Sequence, residues 1–119
     1  MCLGMALRKF VSATFFRNDA GNEPARDWLK GLSDEDRKVI GDDIRTVQYG
    51  WPLGMPLVRK IEANLWEVRS HLANGIARML FTMHEGEIVL LHGFVKKSQK
   101  TPETELKVAR KRRNEVHND

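Results

Sequence analysis

The chain has one cysteine, Cys2, which excludes a disulfide scaffold and any Cys-rich zinc site. No apolar run approaches the ~18 residues that a membrane span requires. The opening MCLGMALRKF has a short apolar patch with no charged stretch before it and no cleavage signature after it. A secretory signal is therefore not expected, and the chain reads as cytoplasmic, with Met1 or Met5 as the start. Internal repeats, low-complexity segments, a Gly-rich phosphate loop, a Ser–His–Asp order and a Cys–His dyad are all missing. Adjacent carboxylates such as Asp42-Asp43 fall on a helix and diverge, which makes them poor acid/base partners. No histidine pair has ligand spacing with carboxylates, so neither a metal nor another cofactor is expected.

What is present suits one domain over residues 1–119, with residues 1–8 expected to be disordered and 117–119 a tail. Its 119 residues are 41% hydrophobic and include three Trp and five Phe, enough to bury a core. FVSATFF at 10–16 reads as a first strand, broken by Asn18-Asp19 and Gly21-Asn22. Asn22 can cap a helix that has Glu23 and Pro24 in its first turn. Ala25, Trp28, Leu29 and Leu32 then share one face. Ser33 opens a second helix, three residues ahead of Asp36, with Ile40, Ile44, Val47 and Trp51 as its apolar stripe.

Pro52, Gly54 and Pro56 mark 52–64 as a loop. LWEVRSHL at 65–72 alternates: Trp66, Val68, Ser70 and Leu72 face one side, and Leu65, Glu67, Arg69 and His71 the other. Asn74-Gly75 is a hairpin turn into IARMLFTMH, and Glu85-Gly86 turns into the near-continuous apolar EIVLLHGFVK at 87–96. Thr101-Pro102 with Glu103 opens a last helix. The order is β-α-α-β-β-β-α, an α+β fold with an antiparallel sheet of about four strands. The first strand must join that sheet to bury its aromatics. Trp28, Trp51 and Trp66 sit on apolar faces and read as core.

Charge is unevenly placed. Residues 1–95 carry 12 basic and 12 acidic side chains, whereas 96–119 carry eight against four. The whole excess of +4 lies in the last 24 residues, which favours a polyanion partner. Arg78 interrupts an apolar strand, and a lone charge there costs several kcal/mol if buried, so it needs an ion pair, an open face or a ligand. Glu67 and Glu87 are the acids that could pair with Arg69 or Arg78. The other possibility is that Arg69, Arg78, Lys96 and Lys97 converge as a phosphate site. Metal-free RNA cleavage needs little more: the 2′-OH attacks its own phosphate while cations stabilise the developing charge and acid/base groups move protons. His92 and His84 could serve as acid or base, or be ordinary hydrogen-bonded histidines. His71 and His117 read as surface. Arg59 and Lys60, Lys100, and KVARKRR at 107–113 (with Arg110 and Arg113) are candidate phosphate contacts or plain solvated charge.

LWEVR, the Arg of IARMLF, LLHGFVKK and the TPxxE-type helix start together resemble the RelE/HigB-like toxins of type II toxin–antitoxin systems, in their phage-derived host-inhibition branch. The likeness covers about residues 10–116. It implies a small RelE-like microbial RNase fold and metal-independent cleavage of mRNA, often on the translating ribosome. It also implies silencing by a helix-turn-helix, HigA-like antitoxin, with operator DNA bound only through the antitoxin complex. The family's functional positions correspond to Arg69, Arg78, Lys96 and Lys97, with Lys60 as the basic residue ahead of the meander. Arg69, Arg78, Lys97 and His92 are thus the candidate catalytic residues. Lys60, Arg59, Lys96, Lys100, Arg110 and Arg113 are the candidate RNA-binding residues.

One departure stands out. Many relatives carry a Tyr near the C-terminus that helps in cleavage, and here the only Tyr is Tyr49. His92, Lys97 or another group would have to act instead, or cleavage would be weaker. The resemblance also leaves open a ParE-like toxin that inhibits DNA gyrase without cutting RNA. A non-enzymatic RNA- or protein-binding module is the third reading.

Overall fold

A computed structural model describes residues 10–97 and 100–118. Its elements are β1 (Ala13–Phe15), α1 (Pro24–Lys30), α2 (Asp34–Gly50), β2 (Val58–Glu62), β3 (Leu65–Leu72), β4 (Gly75–His84), β5 (Glu87–Lys96) and α3 (Glu103–His117). The strands form one mixed sheet in the order β1-β5-β4-β3-β2. β1 runs parallel to β5, and every other pairing is antiparallel. The architecture is α+β, as the sequence pattern implies, with a fifth strand that the pattern does not give.

That strand is β2, in the stretch read as loop. Pro52, Gly54 and Pro56 all precede it, and only the short VRKIE pairs, at the sheet edge. Its register slips between Lys60 and Glu62. A bulge of this kind reorients the residues around it. Val58 packs with the α1/α2 side of the core, while Ile61 packs with the α3 side. β1 is shorter than 10–16 because Val11 is tied to α2 instead: its N–H donates to the Gln48 carbonyl and its carbonyl accepts from Gln48 Nε2.

The helix starts follow local chemistry. Ser33 Oγ accepts the Asp36 N–H at 3.1 Å, closing the cap expected of SDED. In α1 Pro24 takes the first helical position, so the N-cap is Glu23 rather than Asn22. Asn22 instead donates its N–H to Asn18 Oδ1.

Two apolar layers sandwich the sheet. On one side Ile40, Ile44 and Val47 of α2 meet Val58, Val68, Met79, Phe81, Ile88 and Leu90. Trp51, Trp66 and Phe81 form an aromatic cluster there, with centroids 5.1 to 5.7 Å apart. Trp28 packs on β5 at Gly93, where a Cβ would come within 2.3 Å of the indole. All three tryptophans therefore pack on the core.

On the other side α3 covers Leu65, Leu80, Val89, Leu91 and Phe94. This helix packs on that face of the sheet through Ala109, Leu106 and Val116. β5 bulges where Leu80 pairs with His92 and Phe81 with Leu90. The extra residue brings Leu91 and His92 both toward α3, Leu91 into the core and His92 onto Glu105.

Candidate functional site

Arg69 of β3 and Arg78 of β4 are direct cross-strand partners. Like charges directly opposite one another on a sheet are destabilising. Here they are also desolvated, since Arg78 is 0% exposed and the Arg69 side chain 10%. Glu67, two residues from Arg69 and likewise 0% exposed, offsets them. Its Oε1 lies 3.6 Å from Arg69 Nε. Arg59 of β2 is the cross-strand partner of Glu67, which brings a third guanidinium to the same face. Burial pushes the Arg78 pKa down; Glu67 pulls it back up, while Arg69 and Arg59 push it down further.

Thr101 completes the cluster from the segment leading into α3. It is 5% exposed. Its hydroxyl donates to Glu67 Oε2 at 2.5 Å and accepts from Arg78 Nη1 at 3.3 Å. A Thr before a Pro and a helix reads as a cap, so the sequence gives no hint of this role. The N-cap is Pro102, and no side chain caps it.

The convergence of Arg69 and Arg78 is therefore real, but both are covered and linked to an internal carboxylate. The cations at the surface nearby are Arg59, Lys96, Lys97 and Lys100, all exposed. Lys96 pairs with Ile76, at the same end of the sheet as Arg69 and Arg78. A depression of about 560 Å³ opens there, lined by Lys96, Lys100, Thr101, Pro102, Glu103 and Leu106. Lys60 is elsewhere. It pairs with Trp66, on the α1/α2 side of the sheet, so Arg59 is the basic residue of β2 beside the arginines.

The C-terminal charge is mostly turned inward. Arg110 Nε and Arg113 Nη1 donate to the two oxygens of Glu62, at 3.0 and 2.7 Å. Arg110 also bonds Glu103, and Arg113 the Ala63 carbonyl. These two, expected as RNA contacts, clamp α3 to the β2–β3 turn. The Arg113 and Arg110 hydrogen bonds hold the Glu62 carboxyl below its usual range. Arg112 Nη1 donates to the Leu91 carbonyl at 2.8 Å, and its burial lowers its pKa.

His92 is engaged at both ring nitrogens. Nε2 lies 2.5 Å from Glu105 Oε1, and Nδ1 lies 3.4 Å from Arg112 Nη1. In this arrangement it fastens α3 to β5. At the far end His117 Nε2 meets the buried Thr82 hydroxyl at 2.9 Å and packs edge-on against His84. His71 is exposed. Among the described residues no group of three His, Cys, Asp or Glu side chains could hold a metal ion.

A profile of the family described as Phage derived protein Gp49-like matches residues 27–114. The chain belongs to this family. The Gp49-like family is associated with toxins of type II toxin–antitoxin systems, which gives this chain a toxin role and an antitoxin as its partner. No curated protein matches the chain. The Gp49-like match takes in β2 to β5, with Arg59, Glu67, Arg69 and Arg78, together with Thr101 and most of α3. It leaves β1 outside. Among the described residues no helix is long and apolar enough to cross a membrane.

Proposed function

We propose that this Gp49-like chain is a RelE/HigB-like toxin that cuts mRNA without a metal, on the translating ribosome, and is silenced by a HigA-like helix-turn-helix antitoxin. The observation that carries this is the cross-strand pair Arg69–Arg78. A fold does not place two guanidiniums face to face out of water without a countervailing benefit. Gathering phosphate charge needs several cations on one spot, and the planar fork of Arg suits it.

In this reading the RNA backbone approaches the end of the sheet marked by Arg59, Lys96, Lys97 and Lys100. The 2′-OH of one nucleotide attacks the adjoining phosphorus. The 5′-oxygen of the next nucleotide leaves, giving a 2′,3′-cyclic phosphate and a 5′-hydroxyl. Arg69 and Arg78 stabilise the extra negative charge on the five-coordinate phosphorus. Proton transfer falls to Lys97 at the rim, or to His92 once Glu105 has released it.

The test is induction in a bacterium without antitoxin, following growth and primer-extension stops in mRNA. Arrest with new stops, both lost in Arg69→Ala, is expected. Arrest with intact transcripts and blocked supercoiling would instead favour gyrase as the target. Harmless expression would favour a plain binding module. Because Arg78→Ala risks misfolding, Arg69→Lys serves as the companion. It keeps the charge but loses the planar fork, and its activity should fall while its circular dichroism is unchanged.

A further inference from the structure

The two carboxylate oxygens of Glu67 do different things. Oε1 lies 3.6 Å from Arg69 Nε. Oε2 accepts from the Thr101 hydroxyl, which in turn accepts from Arg78 Nη1. One carboxylate thus reaches one arginine directly and the other through a hydroxyl. Glu67, Arg78 and Thr101 are all buried, so these contacts are made out of water. Neutralisation alone does not account for the arrangement. Glu67 sits among three guanidiniums, those of Arg59, Arg69 and Arg78, and cancels one of their charges. A hydroxyl, which carries no charge, adds nothing to that cancellation. What the carboxylate and hydroxyl do supply is direction, because hydrogen bonds weaken steeply away from their preferred angles. Arginine is long and has many rotamers, and a buried directional contact selects among them.

We propose that Glu67 and Thr101 are positioning residues: the Glu67 carboxylate sets the Arg69 guanidinium directly and the Arg78 guanidinium through the Thr101 hydroxyl. The consequence for cleavage rests on the nuclease reading above; the ordering of the two arginines does not. A cation stabilises charge developing on phosphorus best when it is already in place, because no reorganisation is then needed during the reaction. Loosening the arginines should therefore slow the chemical step even though the site keeps its positive charge.

Thr101→Val keeps the size of the side chain and removes both of its hydrogen bonds, whereas Thr101→Ser keeps the hydroxyl. Glu67→Gln removes the charge beside Arg69. Thr82→Val is the control: it also deletes a buried hydroxyl, the one that meets His117, farther along β4 from Arg78. The first readout is the side-chain Nε–H signals of Arg69 and Arg78 in proton–nitrogen NMR spectra of the full chain. The Arg78 signal is expected to shift in Thr101→Val and to exchange with water about tenfold faster, and the Arg69 signal to do so in Glu67→Gln. Thr101→Ser and Thr82→Val should leave both in place. The second readout is cleavage of ribosome-bound mRNA with protein in excess. In that regime unfolded protein raises the half-saturating concentration and leaves the saturated rate unchanged. A merely structural role therefore moves the first quantity, and a positioning role moves the second. The saturated rate is expected to fall about tenfold in Thr101→Val and at least as far in Glu67→Gln, and to stay within about twofold of the parent in Thr101→Ser and Thr82→Val. Unmoved arginine signals in both Thr101→Val and Glu67→Gln, or parent saturated rates in both, would overturn the positioning role. The nuclease reading fails separately. If the parent cuts nothing while the arginine signals respond as expected, the ordering stands and the nuclease does not.

Discussion

At the scale of single residues, the account turns on one carboxylate among three guanidiniums. Glu67 is fully buried beside Arg69 and Arg78, with Arg59 across the strand. Removing one partner of a buried ionic group leaves uncompensated charge, which typically costs ~3–5 kcal/mol. Glu67→Gln is expected to lose stability of about this size in urea titration, and Glu87→Gln, at an exposed position, to lose almost none. A second residue-scale prediction concerns Gly93. A methyl there would sit 2.3 Å from the Trp28 ring. Gly93→Ala should lower the urea midpoint, by about 1–3 kcal/mol of stability, because over-packing displaces the indole. The sequence exposes part of this scale. Strict alternation in LWEVRSHL puts Glu67 and Arg69 on one face, so both the ion pair and the converging cations were legible there. Thr101 was not, because its partners are 34 and 23 residues away, and local pattern carries no information about such contacts.

At the scale of elements, α2 and α3 show why some helices are easier to read than others. The apolar stripe of α2 announces its buried face. α3 has almost no such stripe, and its basic residues look like a solvated or RNA-facing surface. Three of them (Arg110, Arg112 and Arg113) in fact reach back to Glu62, Leu91 and Ala63. β2 escaped reading because three breakers precede a strand of only five residues at an edge. The Glu62 clamp makes α3 sensitive to acid. Its carboxyl is held below the usual range by Arg113 and Arg110, so its contribution is fully present above the ordinary carboxylate pKa. That contribution is lost as pH falls through the lowered value, below the ordinary carboxylate range. Amide exchange in α3, corrected for intrinsic rates, should accelerate over this window in the parent. Glu62→Gln should show faster exchange at neutral pH and a flatter response to acid.

At the scale of the whole molecule, the charge excess read from the last 24 residues does not form one basic arm. Part of it ties α3 to the sheet, and part stays at the surface near the arginine pair as Lys96, Lys97 and Lys100, joined by Arg59. RNA affinity should therefore depend on salt as for a few phosphate contacts. With those four cations engaged, log K against log salt should fall with a slope of about −3 for single-stranded RNA. Charge reversal at Arg110 or Arg113 should act mainly through stability. The central claim is that Arg69 and Arg78 serve a scissile phosphate. Its most direct test is to add purified chain to ribosome-bound mRNA and determine the chemistry of the new ends. The account expects 5′-hydroxyl ends from the parent, and at least about a hundredfold fewer from a folded Arg69→Ala variant. Cleavage by that variant at the parent rate, or 5′-phosphate ends, would contradict it.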